Sequence, residues 1–122
     1  MTRTGASFKL QRGELWLVDL EPTRGRELGR KDRPAVIVST DLMNQGSFER
    51  AIVVPSTTQR HDIPCHVEWQ VRTPRGPRSS FFCCEDVRSV SVERLIHQFG
   101  TRPIPPDVLN RIEDWLRVLM GL

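Results

Sequence analysis

Apolar residues occur in short runs through the first half of the chain, with turn-forming residues between them. Three runs are predicted to be strands because they are rich in apolar residues and are bounded by Gly, Pro or polar residues: Gly13–Leu20, Arg33–Ser39 and Ala51–Thr57. The second is largely apolar and β-branched, as in a strand buried on both faces. Pro55 cannot donate a backbone hydrogen bond, which predicts an edge strand or a bulge. The segment Pro22–Asp32 is predicted to be a loop.

The middle of the chain mixes helix, strand and turn signals. Residues 40–47 predict a short helical turn capped by Thr40 or Asp41 and ended by Gly46. Residues 64–71 alternate between apolar and polar, which indicates a half-exposed strand. The remaining segments are predicted as a turn-rich basic loop (72–80), one long strand or two with a bend (81–90), and a short helix (91–100).

The last 18 residues, 105–122, carry the clearest helical pattern. Pro105 and Pro106 lie at its start, where proline is tolerated. The apolar residues recur at helical spacing: Val108, Leu109, Ile112, Trp115, Leu116, Leu119 and Met120. Long helices do not alternate with the strands, which disfavours parallel βαβ units. The fold is therefore predicted to be mainly β with helices (α+β): a small curved antiparallel sheet or barrel with helices on one side.

Length and composition fit an ordinary globular protein. The chain has 122 residues, of which 38% are hydrophobic and 27% charged, and this suits one domain. Residues 1–11 lack the apolar core of a signal peptide, so we expect a loose leader before a single domain at 12–122. No apolar run approaches the roughly 20 residues of a transmembrane helix. The expected location is the cytoplasm, without membrane association.

Basic residues are mostly arginine. The net charge is +3, and only two of the 18 Lys and Arg residues are Lys. The planar guanidinium matches phosphate oxygens and stacks on bases, so an Arg-rich surface favours a nucleic acid or another polyanion. Arginine-rich composition is equally typical of a high-GC genome, and composition alone leaves both explanations open.

No motif indicates a metal site or a familiar catalytic centre. His61, Asp62, Cys65 and His66 are ligand types, but their spacing matches none of the usual zinc patterns. The three cysteines include no C-x-x-C pair, which argues against a disulfide framework and a zinc ribbon. There is no P-loop, G-x-G-x-x-G or G-x-S-x-G motif. No cofactor and no metal are expected.

Three polar segments could instead converge to bind an anion. Phosphate binding uses Arg forks, hydroxyls and free backbone N–H groups. The first loop and the start of the next strand supply Arg24, Arg26, Arg30, Lys31 and Arg33. The end of the third strand, 55–60, is rich in hydroxyl and amide groups, and the basic loop supplies Arg72, Arg75 and Arg78. Each segment alone is typical of a solvated loop, and together they favour an anion-binding face only modestly.

In their order along the chain, the motifs resemble the MazF/PemK toxins of bacterial toxin–antitoxin systems. The resemblance spans about residues 11–120, and its specificity lies in the ordered set rather than in one motif. The matching segments are Arg12–Glu14, Asp19–Glu27, Arg33–Pro34, Pro55–Gln59, Pro64–Val67 and Glu85–Leu95.

The resemblance implies an SH3-like antiparallel barrel of the CcdB/MazF type with a C-terminal helix, forming a homodimer. It implies a metal-independent endoribonuclease that cuts single-stranded RNA through the substrate's 2′-hydroxyl. The family's catalytic arginine and threonine correspond to Arg33 and Thr57, and Gly25 and Glu27 match loop positions beside the site. The loop 22–32 would then be a lid on the RNA groove. The residues expected to contact RNA are Arg24, Gly25, Arg26, Arg30, Lys31, Thr58, Gln59, Arg75, Arg78 and Arg88.

Arg33 suits a charge stabiliser, and a possible acid, better than a base, because a guanidinium has a pKa above about 12. Glu27 or His66 is predicted to share the proton transfer or support the site. The family often has Gln where this chain has Asp86. An acid there would alter base preference or weaken binding if it touches RNA.

Two other functions stay open on the sequence alone. The same barrel could be a non-catalytic toxin that binds a protein target, as the CcdB branch binds DNA gyrase, or a plain RNA-binding barrel. Arg33 and Thr57 at the matching positions favour the ribonuclease, because a pure binder needs neither. The expected protein partner is an acidic, MazE-like antitoxin whose partly disordered tail occupies the basic groove.

Overall fold

The computed structural model describes residues 9–21, 25, 32–100 and 102–122. Most of the predicted loop 22–32, including Arg24, Arg26, Glu27, Arg30 and Lys31, lies outside the described residues, as do residues 1–8 of the expected leader. The strands are β1 (Leu15–Val18), β2 (Arg33–Ile37), β3 (Arg50–Thr57), β4 (His66–Thr73), β5 (Gly76–Cys83), β6 (Arg88–Ser91) and β7 (Leu95–Phe99). The helices are α1 (Asp41–Asn44) and α2 (Pro106–Met120), with single 3-10 turns at Cys84–Asp86 and Val92–Arg94.

All seven strands join one antiparallel sheet. Its main order is β4-β5-β3-β2-β1-β7, and β6 pairs with β3 beside this path. Among the described strands, β4 and β7 pair on one side only, so the sheet does not close into a complete barrel. The mainly antiparallel fold with a C-terminal helix is confirmed.

Pro55 does not lie on an edge strand, contrary to the sequence prediction. Strand β3 is central: it pairs with β2 on one side and with both β6 and β5 on the other. The pairs with β6 involve residues 50–53, and those with β5 involve residues 56 and 57. Pro55 lies at the gap between these two partners, where the sheet loses no ladder hydrogen bond to the missing N–H.

The predicted loop 72–80 is wrong, because most of it is strand. The β4–β5 hairpin is tight, with Thr73 opposite Gly76, and the side chain of Thr73 accepts a hydrogen bond from the Arg75 N–H at 3.2 Å. Gly76 has a φ of 108°, which a side chain would strain. The turn itself is thus only two residues long, at positions 74 and 75, and the next strand, β5, continues through Pro77.

The predicted helix 91–100 is also wrong. Ser91 caps one 3-10 turn by accepting a hydrogen bond from the Glu93 N–H at 3.3 Å, and the chain then enters β7. Strand β7 pairs with β1, from Val18 opposite Leu95 to Leu15 opposite Phe99. Pairing with a distant strand therefore overrides the local helical signal. For residues 81–90, two strands with a break are observed.

Alternating side chains of the sheet build two cores. The helix-side core lies between the sheet and α2 and contains Val36, Val54, Val67, Phe82, Val108 and Ile112, among others. The inner core on the opposite face contains Trp16, Val18, Ile37, Val53, Val90 and Leu95, among others. Within the described residues, no helix has the length and apolar character that crossing a membrane would require.

Candidate functional site

One face of the sheet gathers three of the residues predicted from the sequence. Ala35 is opposite Pro55, and continuing this register places Arg33 at the start of β2 opposite Thr57 at the end of β3. Thr57 is opposite Phe81 of β5, and Cys83 of the same strand is opposite His66 of β4. Because paired residues share a face, Arg33, Thr57, Phe81, Cys83 and His66 line one surface. We call this surface the site face.

Arg33 is held where the first loop meets the sheet. It pairs with Val18 of β1, and its Nε atom is buried without a hydrogen-bond partner. A buried donor with no partner is costly, so a ligand that accepts from this guanidinium would satisfy it. Its positive charge acts on the neighbouring thiol of Cys83.

Thr57 is buried at the end of β3. Its Oγ1 atom accepts a hydrogen bond from the Gln59 N–H at 3.2 Å, which leaves the hydroxyl proton available to a ligand. The adjacent Ser56 donates to the carbonyl of Pro34 at 2.8 Å, so it ties β3 to β2. Neighbouring hydroxyls therefore differ: one joins strands, and the other faces the site.

His66 is paired with Glu85, which is not among the site residues predicted from the sequence. The His66 Nε2 atom lies 2.6 Å from Oε2 of Glu85, and the histidine side chain is only 5% exposed. Burial acts to raise the pKa of Glu85, but hydrogen bonds from His66 and the backbone outweigh it, so the pKa is lowered. In the tautomer of the neutral imidazole that carries its proton on Nε2, the Glu85 carboxylate accepts the hydrogen bond and Nδ1 is the acceptor nitrogen.

Two unsatisfied atoms mark the site face. Among the described residues, the buried side-chain nitrogens and oxygens without a hydrogen-bond partner are Arg33 Nε and His66 Nδ1. Both atoms belong to residues that are predicted from the sequence to form the site. Arg33 Nε is a hydrogen-bond donor, and His66 Nδ1 is the nitrogen that can act as an acceptor. Buried polar groups in native structures are nearly always paired, so these two atoms indicate a place where a polar ligand binds.

A charged rim borders the site face along β4 and β5. The Arg60 guanidinium lies 4.9 Å above the ring of Phe81 and donates to Glu68 at 3.1 Å. The hydroxyl of Ser79 donates to the other oxygen of Glu68 at 2.7 Å. The Ser79 hydrogen bond, assisted by Arg60, lowers the pKa of Glu68. The rim therefore keeps the negative charge of Glu68 beside the positive charge of Arg60.

The other predicted RNA-binding residues are spread over several surfaces. Thr58 and Gln59 are exposed just beyond β3, and Gly25 is exposed with a φ of 60°. Arg75 is exposed in the β4–β5 turn. Arg78 is exposed on β5 but alternates with Phe81, which assigns it to the face opposite the site. Arg88 on β6 donates to the carbonyl of Leu20 at 3.2 Å.

One group of described residues could hold a metal ion. His66, Cys83 and Glu85 each offer a ligand atom, and these atoms lie within 4.8 Å of one another. Burial, followed by the nearby carboxylates of Glu85 and Asp86, raises the pKa of Cys83 to about 12, with Arg33 acting in the opposite direction. Sequence spacing could not reveal the group, because it depends on the register of the β4–β5 hairpin.

Comparisons with known proteins agree with this fold. Residues 11–120 match the family described as PemK-like, MazF-like toxin of type II toxin–antitoxin system. MazF from Deinococcus radiodurans is 24% identical and superposes with a TM-score of 0.81, covering 95% of this chain and 100% of the other.

Two further solved structures show the same architecture. A mycobacterial endoribonuclease, solved with its cognate antitoxin, is 23% identical with a TM-score of 0.72, covering 93% of this chain and 96% of that one. The Mycobacterium tuberculosis toxin MazF-mt6 is 16% identical with a TM-score of 0.68, covering 89% and 97% respectively.

Proposed function

Because the chain belongs to the PemK-like, MazF-like toxin family of type II toxin–antitoxin systems, we propose that it is an endoribonuclease that cuts single-stranded RNA and so stops translation. The observation that carries this proposal is the pair of unsatisfied buried atoms, Arg33 Nε and His66 Nδ1, on one face of the sheet. A phosphodiester next to a 2′-hydroxyl offers what each atom lacks. Its anionic oxygens accept from the guanidinium, and its hydroxyl donates to the imidazole.

The proposed reaction uses the RNA's own 2′-hydroxyl as nucleophile. This oxygen attacks the adjacent phosphorus, the bond to the 5′-oxygen breaks, and the products carry a 2′,3′-cyclic phosphate and a 5′-hydroxyl. Arg33 stabilises the negative charge that develops on the phosphorane oxygens, which is the kind of electrostatic assistance that contributes most to such reactions. The Thr57 hydroxyl donates a hydrogen bond to the same oxygens.

His66 is the proposed proton acceptor. Arg33 is a poor base, whereas the unprotonated Nδ1 of His66 can take the 2′-hydroxyl proton. The Glu85 Oε2 atom lies 2.6 Å from His66 Nε2 and accepts a hydrogen bond from it. This contact fixes the tautomer in which Nδ1 is free to accept a proton, as a carboxylate does for many catalytic histidines. The departing 5′-oxygen takes up a proton, for which Arg33 is the proposed donor. Glu27 stays a predicted supporting residue.

The proposed protein partner is an acidic antitoxin. The chain carries a net charge of +3 with abundant arginine, and solved relatives include MazE–MazF complexes from Deinococcus radiodurans. An acidic tail would compete with RNA for Arg33. We further propose that the protein forms a homodimer and that Thr58, Gln59, Arg75 and Arg88 contact RNA. Arg78 is a weaker candidate for an RNA contact, because the alternation of β5 assigns it to the face opposite the site.

The test is an RNA cleavage assay with the purified protein and EDTA, followed by mapping of the product ends. We expect discrete cuts with 5′-hydroxyl ends, reduced by about 10²–10³-fold in Arg33→Ala. Arg78→Ala is the matched control, since it removes an exposed arginine from the opposite face and should cleave like the parent protein.

Three outcomes would contradict the proposal. Cleavage by Arg33→Ala at the parent rate would remove Arg33 from the mechanism. No cleavage at enzyme excess, by a protein that still binds an antitoxin, would favour a CcdB-like toxin with a protein target. RNA binding without cleavage, and without an antitoxin, would favour a plain RNA-binding barrel.

A further inference from the structure

The cluster of His66, Cys83 and Glu85 lies on the site face beside the proposed reaction centre. We propose that these three side chains form a binding site for Zn²⁺, which goes beyond the proposed ribonuclease function. Their ligand atoms lie within 4.8 Å of one another. No step of the proposed reaction needs a metal, so the zinc site would control the activity rather than perform it.

The three ligand types suit zinc. Imidazole nitrogen, thiolate sulfur and carboxylate oxygen bind Zn²⁺ at roughly 2.0–2.3 Å, and three protein ligands leave a fourth position for water. Donor atoms on a tetrahedral ion are roughly 3.3–3.8 Å apart by the same bond lengths. The ligand atoms lie up to 4.8 Å apart, so binding requires some of them to approach by about 1 Å, and the Glu85 side chain, which is 38% exposed, has room to move. The thiolate also disfavours Mg²⁺ and Ca²⁺, which prefer oxygen ligands.

The backbone holds two of the ligands in place. His66 begins β4 and is directly opposite Cys83 at the end of β5. Glu85 follows in the 3-10 turn, and its side chain, 38% exposed, gives the ion a route from solvent.

A second, independent observation points to a ligand here. The His66 side chain is 95% buried, since only 5% is exposed, yet its Nδ1 atom has no hydrogen-bond partner. A buried acceptor of this kind is unusual in a native structure. A metal ion bound to Nδ1 would satisfy this atom, once the Glu85 carboxylate turns from its 2.6 Å contact with Nε2 toward the ion.

Charge balance also favours a divalent cation. Coordination displaces the Cys83 proton into solvent, because a thiol bound to zinc is deprotonated. The resulting thiolate and the Glu85 carboxylate carry two negative charges, which match Zn²⁺.

Zinc binding has a consequence that rests on the proposed function. The ion would engage the imidazole that is proposed to accept the 2′-hydroxyl proton. It would also change the charge beside Arg33, where the phosphate is proposed to bind. Zinc should therefore inhibit cleavage, whereas Mg²⁺ should not.

The binding test is independent of RNA. Reduced, chelator-treated protein is titrated with Zn²⁺ in competition with a chromophoric chelator, and with Co²⁺ as a spectroscopic probe. We expect one zinc ion per chain and a near-ultraviolet thiolate-to-cobalt band. Cys83→Ala should weaken binding at least tenfold and abolish the band.

The three cysteines provide matched controls. Cys84 is adjacent to Cys83 but belongs to the helix-side core, so Cys84→Ala should keep both zinc binding and the cobalt band. Cys65→Ala tests the other nearby thiol, which donates to Glu85 at 3.3 Å. Circular dichroism establishes that each variant is folded. If zinc does not bind stoichiometrically, or if the cobalt band follows Cys65 or survives in Cys83→Ala, the proposed site is wrong.

A second arm adds RNA to the same proteins. The rate of each protein with zinc is divided by its own rate without zinc, and a smaller fractional inhibition of Cys83→Ala than of the parent and Cys84→Ala would support the inhibitory role. Zinc binding without inhibition would overturn that role. If none of the proteins cleaves RNA with or without zinc, the ribonuclease proposal fails, while the zinc-binding result stands on its own.

Discussion

On one face of β3 and β5, Val54 and Phe82 are completely buried against the helix α2. On the other face of the same two strands, Thr57 and Cys83 lie beside atoms that have no hydrogen-bond partner. The helix side is closed by apolar packing, whereas the site face, beyond the inner core that includes Val53, keeps polar atoms without a partner. Adjacent residues of one strand should therefore affect different properties: stability on the helix side and activity on the site face.

The largest expected effect compares Phe82 with its neighbour Phe81. Phe82→Ala should lower the free energy of unfolding by about 3–5 kcal/mol, because it opens a cavity in the helix-side core. Phe81 belongs to neither core cluster, and its ring is covered by Arg60, so Phe81→Ala should lose less. Urea unfolding measures both, and equal losses would mean that the two faces do not differ as described.

The next comparison is between Thr57 and Ser56. Thr57→Ala should reduce RNA cleavage by about 10- to 100-fold, because it removes one hydrogen bond to the developing charge. It should lower stability less than Ser56→Ala, because the hydrogen bond it removes comes from the N–H of the exposed Gln59, which water can satisfy. Ser56→Ala should instead lower the free energy of unfolding by roughly 1–3 kcal/mol, because it leaves the Pro34 carbonyl without its partner. Cleavage rates and melting curves of both variants measure the effects on activity and on stability. A stable, inactive Ser56→Ala protein would reverse the assignment.

A third comparison uses pH, and here the two faces should behave alike. Burial is the main cause that raises the pKa values of Cys83 and Cys84 to about 12, from an ordinary 9.0. Between these values the unfolded chain loses protons that the folded chain keeps, so stability should fall as pH rises above 9.

The expected loss is up to about 1.4 kcal/mol per thiol for each pH unit. The chain has no Tyr, so few other groups titrate in this range. Urea unfolding at pH 8 and pH 10, with EDTA and reductant, measures the loss. Cys84→Ala should show a shallower decline than the parent, and an identical decline would mean that this thiol does not contribute.

The smallest expected effect concerns a polar contact between the start of the sheet and α2. Arg12 forms an ion pair with Glu113 and donates to the Val38 carbonyl at 3.1 Å. Because partly exposed ion pairs contribute little, Glu113→Gln should lower the free energy of unfolding by at most about 1 kcal/mol. Cleavage should be unchanged. A large loss of activity would show that the helix side also controls the site face.

Local pattern predicted those elements whose own residues carry a strong helix or strand signal. The apolar spacing of α2 and the β-branched runs of β2 and β3 were sufficient to place them. Strand β7 and the first half of β5 were missed because pairing with distant residues, such as Leu15 with Phe99, decides their structure. Propensity gives no information about such partners.

The candidate site was predictable only in part. Arg33 and Thr57 were selected by resemblance to a family, while the register of β2 and β3 explains why they face one another. The pairing of His66 with Glu85 joins residues 19 positions apart. It arises from the β4–β5 hairpin and the turn after it, which no motif spacing encodes. Glu27 and most of the first loop stay predictions.

The position of Pro55 gives the sheet a joint. Beyond it, the β4–β5 hairpin is attached to the other strands through two residue pairs, Ser56 with Phe82 and Thr57 with Phe81. Arg33 belongs to one side of this joint and the His66–Glu85 pair to the other, with Thr57 at the junction. A small rotation of the hairpin would therefore change the distance between the proposed phosphate clamp and the proposed proton acceptor, and the helix-side core, which spans both parts, limits how far the hairpin can turn.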